Sequence, residues 1–149
     1  MYDRYALMPE TVANLTGVDQ LAQRELRRRG LIDAYGECRN SRWYYSLEDA
    51  VGFRAGDFLA GHGFSREEAY TFTRRNAVFI VNLATGKVSP YRFAAYGRDG
   101  GPLQDEQMAK SMGDLSPRLS LRVIDLAALV EKIPTDLRDV LRNVPKMLA

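Results

Sequence analysis

One cysteine and one histidine are all that the 149 residues supply in thiols and imidazoles. A disulfide needs a second thiol and a tetrahedral zinc site needs four ligands, so Cys38 and His62 exclude an intramolecular disulfide and argue against zinc. A run of about 20 apolar residues is missing as well, so no membrane helix is expected. The N-terminus, MYDRYALMPE, lacks the basic and apolar regions of a signal peptide, which points to a cytoplasmic protein. Repeats and low-complexity tracts are absent too.

Catalytic constellations are also missing. Gly97-Arg98-Asp99-Gly100-Gly101 is glycine-rich but lacks the Lys-Ser/Thr of a phosphate loop, and so reads as a plain loop. His62, flanked by Gly61 and Gly63, reads as a helix-end residue. Asp105, Glu106 and Asp114 are too scattered for acid–base work. No enzyme activity and no cofactor are expected. Cys38 lies in a basic segment, where a thiol can act as a redox switch, but a lone surface cysteine is more often incidental.

What is present is local charge. The net charge is only +2, and residues 1–75 carry 11 Lys+Arg against 11 Asp+Glu. Between Gln20 and Tyr45, however, six arginines (24, 27, 28, 29, 39 and 42) face three acids, Glu25, Asp33 and Glu37, with no lysine. Arginine is the better fork for phosphate and guanine. Between Leu15 and Leu31, Val18, Leu21, Ala22, Leu26 and Arg29 recur at helical intervals, while Gln20, Gln23, Arg24, Arg27 and Arg28 form a second stripe. Glutamine and arginine can bond base edges bidentately, and arginine also neutralises phosphates. A short helix from Pro9 to Thr16, ended by Gly17, precedes this one, so the pair reads as a helix-turn-helix. An ordinary two-helix hairpin with a solvated basic face fits the same stripe.

Downstream, Gly36 and Asn40 are turn residues and Arg42-Trp43-Tyr44-Tyr45 reads as a strand, together making a hairpin. Ser46 with Asp49 opens a helix through Phe58, ended by Gly61 and Gly63, and Ser65 caps another from Arg66 to about Thr73. Ala77 to Leu83 reads as a buried strand, turning at Ala84-Thr85-Gly86-Lys87 into a returning strand, Val88 to Tyr96. A weak helix is expected over Leu103 to Met112, a strand over Leu119 to Ile124, and helices over Leu126 to Ile133 and Thr135 to Asn143. The spacing thus predicts an α+β chain: a helix-turn-helix domain over residues 1–75 and a small α/β module with a β-hairpin over residues 76–149.

The residues Thr16-Gly17-Val18, Arg24, Gly30-Leu31-Ile32, Tyr45-Ser46 with Glu48-Asp49, and Gly63-Phe64-Ser65 with Glu67-Glu68 stand in an order and spacing that resembles the winged-helix DNA-binding domain of MerR-type transcriptional regulators. The resemblance covers roughly residues 5–72. It implies a second helix in the major groove and a hairpin wing along the phosphates. Gln20, Gln23, Arg24, Arg27 and Arg28 would then touch DNA from the helix, and Arg39, Arg42, Trp43 and Tyr44 from the wing; core packing is the competing role for Trp43 and the favoured one for Tyr45. Arg29, on the apolar face, would pair with an acid.

The chain departs from the family pattern at several points. Arg24-Glu25-Leu26-Arg27 stands where the family has Arg-Tyr-Tyr-Glu, so the operator must differ, and Ser41-Arg42-Trp43 replaces the wing's Gly-Tyr-Arg. Strands over Ala77 to Tyr96 would replace the long dimerisation helix, leaving the dimer geometry open. Ile124-Asp125-Leu126 leading into Ala127-Ala128-Leu129-Val130 faintly resembles the short α/β modules that follow such domains, a place for dimerisation, a protein partner or an effector. The expectation is a homodimeric regulator bound to double-stranded DNA, and hence nucleoid-associated within the cytoplasm. The alternatives are an excisionase-like architectural factor, or an antitoxin or adaptor whose hairpin 77–96 joins a partner's sheet.

Overall fold

The computed structural model describes residues 4–87, 89, 91–97, 107–114 and 121–139. Two short helices come first, α1 (Pro9–Thr16) and α2 (Gln20–Arg28). Pro9 suits the first turn of α1, where its missing N–H costs nothing, and Gly17 closes it in the left-handed region at φ 78°. Asp19 then caps α2 by accepting from the Ala22 N–H. A hairpin follows, with β1 (Glu37–Arg39) antiparallel to β2 (Arg42–Tyr44). Its two-residue turn, Asn40-Ser41, has both φ angles positive at 50° and 65°, the twist that suits a right-handed hairpin.

Helix α3 (Leu47–Ala60) starts in a reciprocal capping box, in which the Ser46 hydroxyl accepts from the Asp49 N–H and the Asp49 carboxylate accepts from the Ser46 N–H. The same carboxylate accepts from the Gly36 N–H, so one buried acid anchors both the helix and the base of the hairpin. Helix α4 (Arg66–Arg75) is capped by Ser65 and runs two residues past its expected end.

The second half departs from expectation. Residues Ala77–Ala84 form a helix, α5, not a strand. Asn76 joins it to α4, donating from its N–H and side-chain amide to Phe72 O and accepting from the Ile80 N–H. Helical bonding thus runs on through the joint, and burying Ile80 and Ala84 decides the conformation of an apolar run that has no period of its own. Among the described residues the returning strand is β3 (Phe93–Gly97), which pairs with β4 (Gln107–Ala109) and β5 (Leu121–Asp125), giving the sheet order β4-β3-β5. The weak helix expected over Leu103 to Met112 is corrected from 107 on, residues 103–106 lying outside the described residues: 107–109 is strand, held by the pairs Ala94↔Met108 and Phe93↔Ala109, and a 3-10 turn follows at Met112–Asp114. The expected strand and helix after residue 119 are present as β5 and α6 (Leu126–Val130), and residues 135–139 are helical. Arg98 to Pro102, most of the expected glycine-rich loop, and residues 140–143 of the expected last helix lie outside the described residues.

Among the described residues the chain is thus a mixed helix-and-sheet protein with two small antiparallel sheets. No helix among them is long and apolar enough to cross a membrane. Two apolar clusters hold it together. One lies under α1, α2 and the hairpin and gathers Val12, Val18, Leu26, Ile32 and the rings of Tyr35, Tyr45, Phe53 and Tyr70. The other runs from Leu47, Ala50 and Val51 of α3 to Ile80, Ala94, Ile124, Leu126 and Leu137, and so crosses residue 75. Helix α3 serves both clusters. It does so by presenting glycine to two tyrosines: a Cβ on Gly52 would meet Tyr35 Cε1 at 2.6 Å and one on Gly56 would meet Tyr70 Cε1 at 2.8 Å.

Candidate nucleic-acid interface

Helix α2 splits its polar stripe in two. Gln20, Arg24 and Arg28 are exposed and lie along one arc, joined by Leu21, which the apolar stripe had claimed but which is 72% exposed. Gln23 and Arg27 turn the other way. Gln23 is only 3% exposed, and its amide donates to Pro9 O at 3.0 Å and Val18 O at 2.9 Å, tying α2 to α1. The expected outward position of Gln23 is therefore corrected: packing against two carbonyls outweighs the hydropathy rank of leucine over glutamine.

Arg27 is the link between α2 and the hairpin. Its Nη1 donates to Ile32 O at 2.7 Å and its Nη2 to Tyr35 O and Tyr45 Oη, both at 3.0 Å. Its Cζ lies 3.5 Å from the centre of the Trp43 ring. A guanidinium so committed positions the surface and is not free to read a base, which corrects the outward role expected of it.

The outer arginines are placed differently. Arg24 is exposed, with one intrahelical bond from its Nε to Gln20 O at 3.3 Å. Arg28 pairs with Glu25 through two bonds, at 2.6 and 3.0 Å. That hydrogen bond from Arg28 holds the Glu25 carboxyl below its ordinary range, and the charges of Arg28, Arg29 and Arg66 act in the same sense. Arg29, expected on the apolar face, is exposed at the helix C-cap.

Alternation along β2 sorts the hairpin residues. Trp43 faces α2, while Arg42 and Tyr44 lie on the other side with their register partners Arg39 and Glu37. Arg39 bonds Glu37 at 2.7 Å and Tyr5 O at 2.6 Å and sits 5.0 Å over the Tyr44 ring, shaping the hairpin from behind. Arg42, beside the turn, is exposed. Tyr45 is 2% exposed, packed edge-on to Phe53 in the core role expected of it.

Between α2 and the hairpin lies a cleft of about 280 Å³. Pro9 of α1, Gln20, Gln23, Arg24 and Arg27 of α2, and Trp43 and Tyr45 of the hairpin line it. Of the nine residues expected to form an interface, the fold gathers these five, Gln20, Gln23, Arg24, Arg27 and Trp43, around one opening. Sequence reasoning missed Leu21 on the outer arc and Asp49 as the hairpin anchor; for Asp49 the Ser46 spacing was the available signal. Among the described residues no group of His, Cys, Asp and Glu is placed to hold a metal.

No protein-family model matches the chain, and no detectably similar curated protein or solved structure is found.

Proposed function

We propose that the chain is a sequence-specific DNA-binding transcriptional regulator that acts as a dimer, with residues 9–44 serving as a winged helix-turn-helix. The observation that carries this reading is the outer arc of α2, where Gln20, Arg24 and Arg28 stand side by side next to a hairpin clamped at a fixed angle by Arg27. Side chains of this kind on one rigid helix face suit a major groove, in which Arg forks to guanine and Gln to adenine. Leu21, exposed among them, offers an apolar surface to a thymine methyl. Arg42, exposed beside the hairpin turn, then lies toward the phosphates, and Gln23, Arg27, Arg39 and Trp43 hold the elements in place.

The spacing likeness to MerR-type regulators supports the same reading and remains part of the proposal. The adaptor alternative loses its hairpin, because 77–84 is helical.

The test is selection of bound sequences from a random duplex library by the purified chain, beside an Arg24→Ala/Arg28→Ala variant. An inverted repeat with half-sites about one helical turn apart, or a multiple, is expected for a dimer. No enrichment at moderate salt, or the same enrichment with the variant, would overturn the reading.

A further inference from the structure

The cleft between α2 and the hairpin has unused hydrogen-bonding capacity. Four buried side-chain polar atoms among the described residues lack a hydrogen-bond partner, and two of them, Gln23 Oε1 and Arg27 Nε, belong to residues that line it. They come from residues four apart on one helix, hence on the same side of it. One is an acceptor and the other a donor, and leaving either unpaired is costly. At the rim, Arg24 offers a guanidinium bonded only to the carbonyl of its own helix, and Gln20 an exposed amide. The aromatic wall is Trp43.

From this juxtaposition we infer that the cleft is a binding site for a small aromatic carboxylate that also carries an N–H donor. The volume sets the size: a cavity of about 150 Å³ already admits benzene, and 280 Å³ is near the lower end of ligand pockets. One substituted ring or a bicycle therefore fits. The carboxylate pairs with Arg24 at the mouth, the ring packs along Trp43, and the N–H turns inward toward Gln23 Oε1.

Occupancy has a consequence that rests on the function proposed above. The ligand neutralises Arg24 and fills the opening between the two elements offered to DNA, so ligand and duplex exclude one another. The same surface would then both read DNA and sense a metabolite.

Trp43 is the chain's only tryptophan, so its indole N–H gives one isolated resonance in a nitrogen-proton correlation spectrum. The uniformly labelled chain, without DNA, is titrated with 4-aminobenzoate and indole-3-acetate and with their neutral amides. Saturable displacement of the Trp43 resonance by the carboxylates is expected, with affinity about tenfold weaker for the amides and for Arg24→Gln, the loss of one charge-assisted contact. Arg66→Gln, outside the cleft, is expected to bind like the wild type. No saturable displacement, or equal affinity of acid and amide, or of wild type and Arg24→Gln, overturns the site. Because no DNA is present, that failure is separate from failure of the DNA reading. Binding of the carboxylate without displacement of a selected duplex overturns only the mutual exclusion.

Discussion

The guanidinium of Arg27 lies over the Trp43 ring, with Cζ 3.5 Å from the ring centre, while its two terminal nitrogens are spent on Ile32 O, Tyr35 O and Tyr45 Oη. Helix and hairpin are thereby one rigid body at this point. Stacking of this kind contributes about 0.5–2 kcal/mol, and each hydrogen bond to a charged donor about 1.5–3 kcal/mol.

Arg27→Ala is accordingly expected to lower stability by about 2–3 kcal/mol, since it removes three hydrogen bonds and strips one face of Trp43, although Ile32 O keeps its bond from the Tyr35 N–H. Urea unfolding followed by Trp43 emission measures both effects, the second as a red shift of the folded-state spectrum. Arg27→Lys cannot reproduce the fork and should recover less than half of the loss. An unshifted midpoint for Arg27→Ala would show that the contact is idle.

Arg24 is the contrasting case. Its removal should change stability by no more than about 0.5 kcal/mol, as expected of an exposed side chain without a tertiary partner. On the DNA reading it should weaken specific binding by on the order of 1–3 kcal/mol. Arg42→Ala should instead weaken binding to all sequences alike and make the salt dependence shallower by about one unit of slope. Fluorescence anisotropy over a salt series separates the two, and identical behaviour of the variants would contradict the assignment of helix to bases and hairpin to phosphates.

Gly52 fixes how closely α3 approaches Tyr35. A methyl there would stand 2.6 Å from the ring carbon Cε1 and 2.9 Å from the hydroxyl oxygen, and that hydroxyl is bonded to Tyr70 O and Thr73. Gly52→Ala is expected to destabilise by about 1–3 kcal/mol through overpacking, despite alanine's better helix propensity. Pairing it with Tyr35→Leu should recover part of the loss; simple additivity of the two in thermal unfolding would refute the steric argument.

Asp125 links the sheet to α6. It accepts from Arg92 at 2.9 and 3.1 Å and caps α6 through the Ala127 and Ala128 N–H groups. The Arg92 hydrogen bond, assisted by those N–H groups, holds its carboxyl below the ordinary value of 3.8. A carboxyl depressed in the folded state contributes stability that is present above its unfolded value and lost as pH falls through the folded one. Asp125→Asn should therefore narrow the gap to wild type only below about pH 4, with a constant gap between pH 5 and 7. Urea midpoints across that range test it; a gap that already closes at pH 6 would point to another group.

Punctuation of the first half was plain in the chain. Pro9, Gly17, Ser46 with Asp49, and Ser65 each bring a local mechanism, and the elements they bound appear where those mechanisms place them. The rotation of α2 was not plain. Leucine outranks glutamine in hydropathy, so Leu21 was assigned inward and Gln23 outward; only the Pro9 and Val18 carbonyls, supplied by tertiary packing, reverse them. The residues after 76 were harder still. AVFIVNLA is apolar but for Asn82, and neither the helical bonding inherited from α4 nor the sheet that captures 107–109 has a local signature. Gln20, Arg24 and Arg27 could be picked out by residue type, whereas the distinction between a guanidinium that is free and one that is spent required knowing which carbonyls surround it.

The cluster that runs from Leu47 and Val51 to Ile80, Ile124 and Leu137 makes the two halves of the chain poor candidates for exchange. A cassette can be moved between proteins only if its cut faces are polar, and a cut at residue 75 would leave an oily scar on α3 and α4. Evolution, or an engineer, wishing to give this chain a new output half would have to redesign the inner face of α3 at the same time.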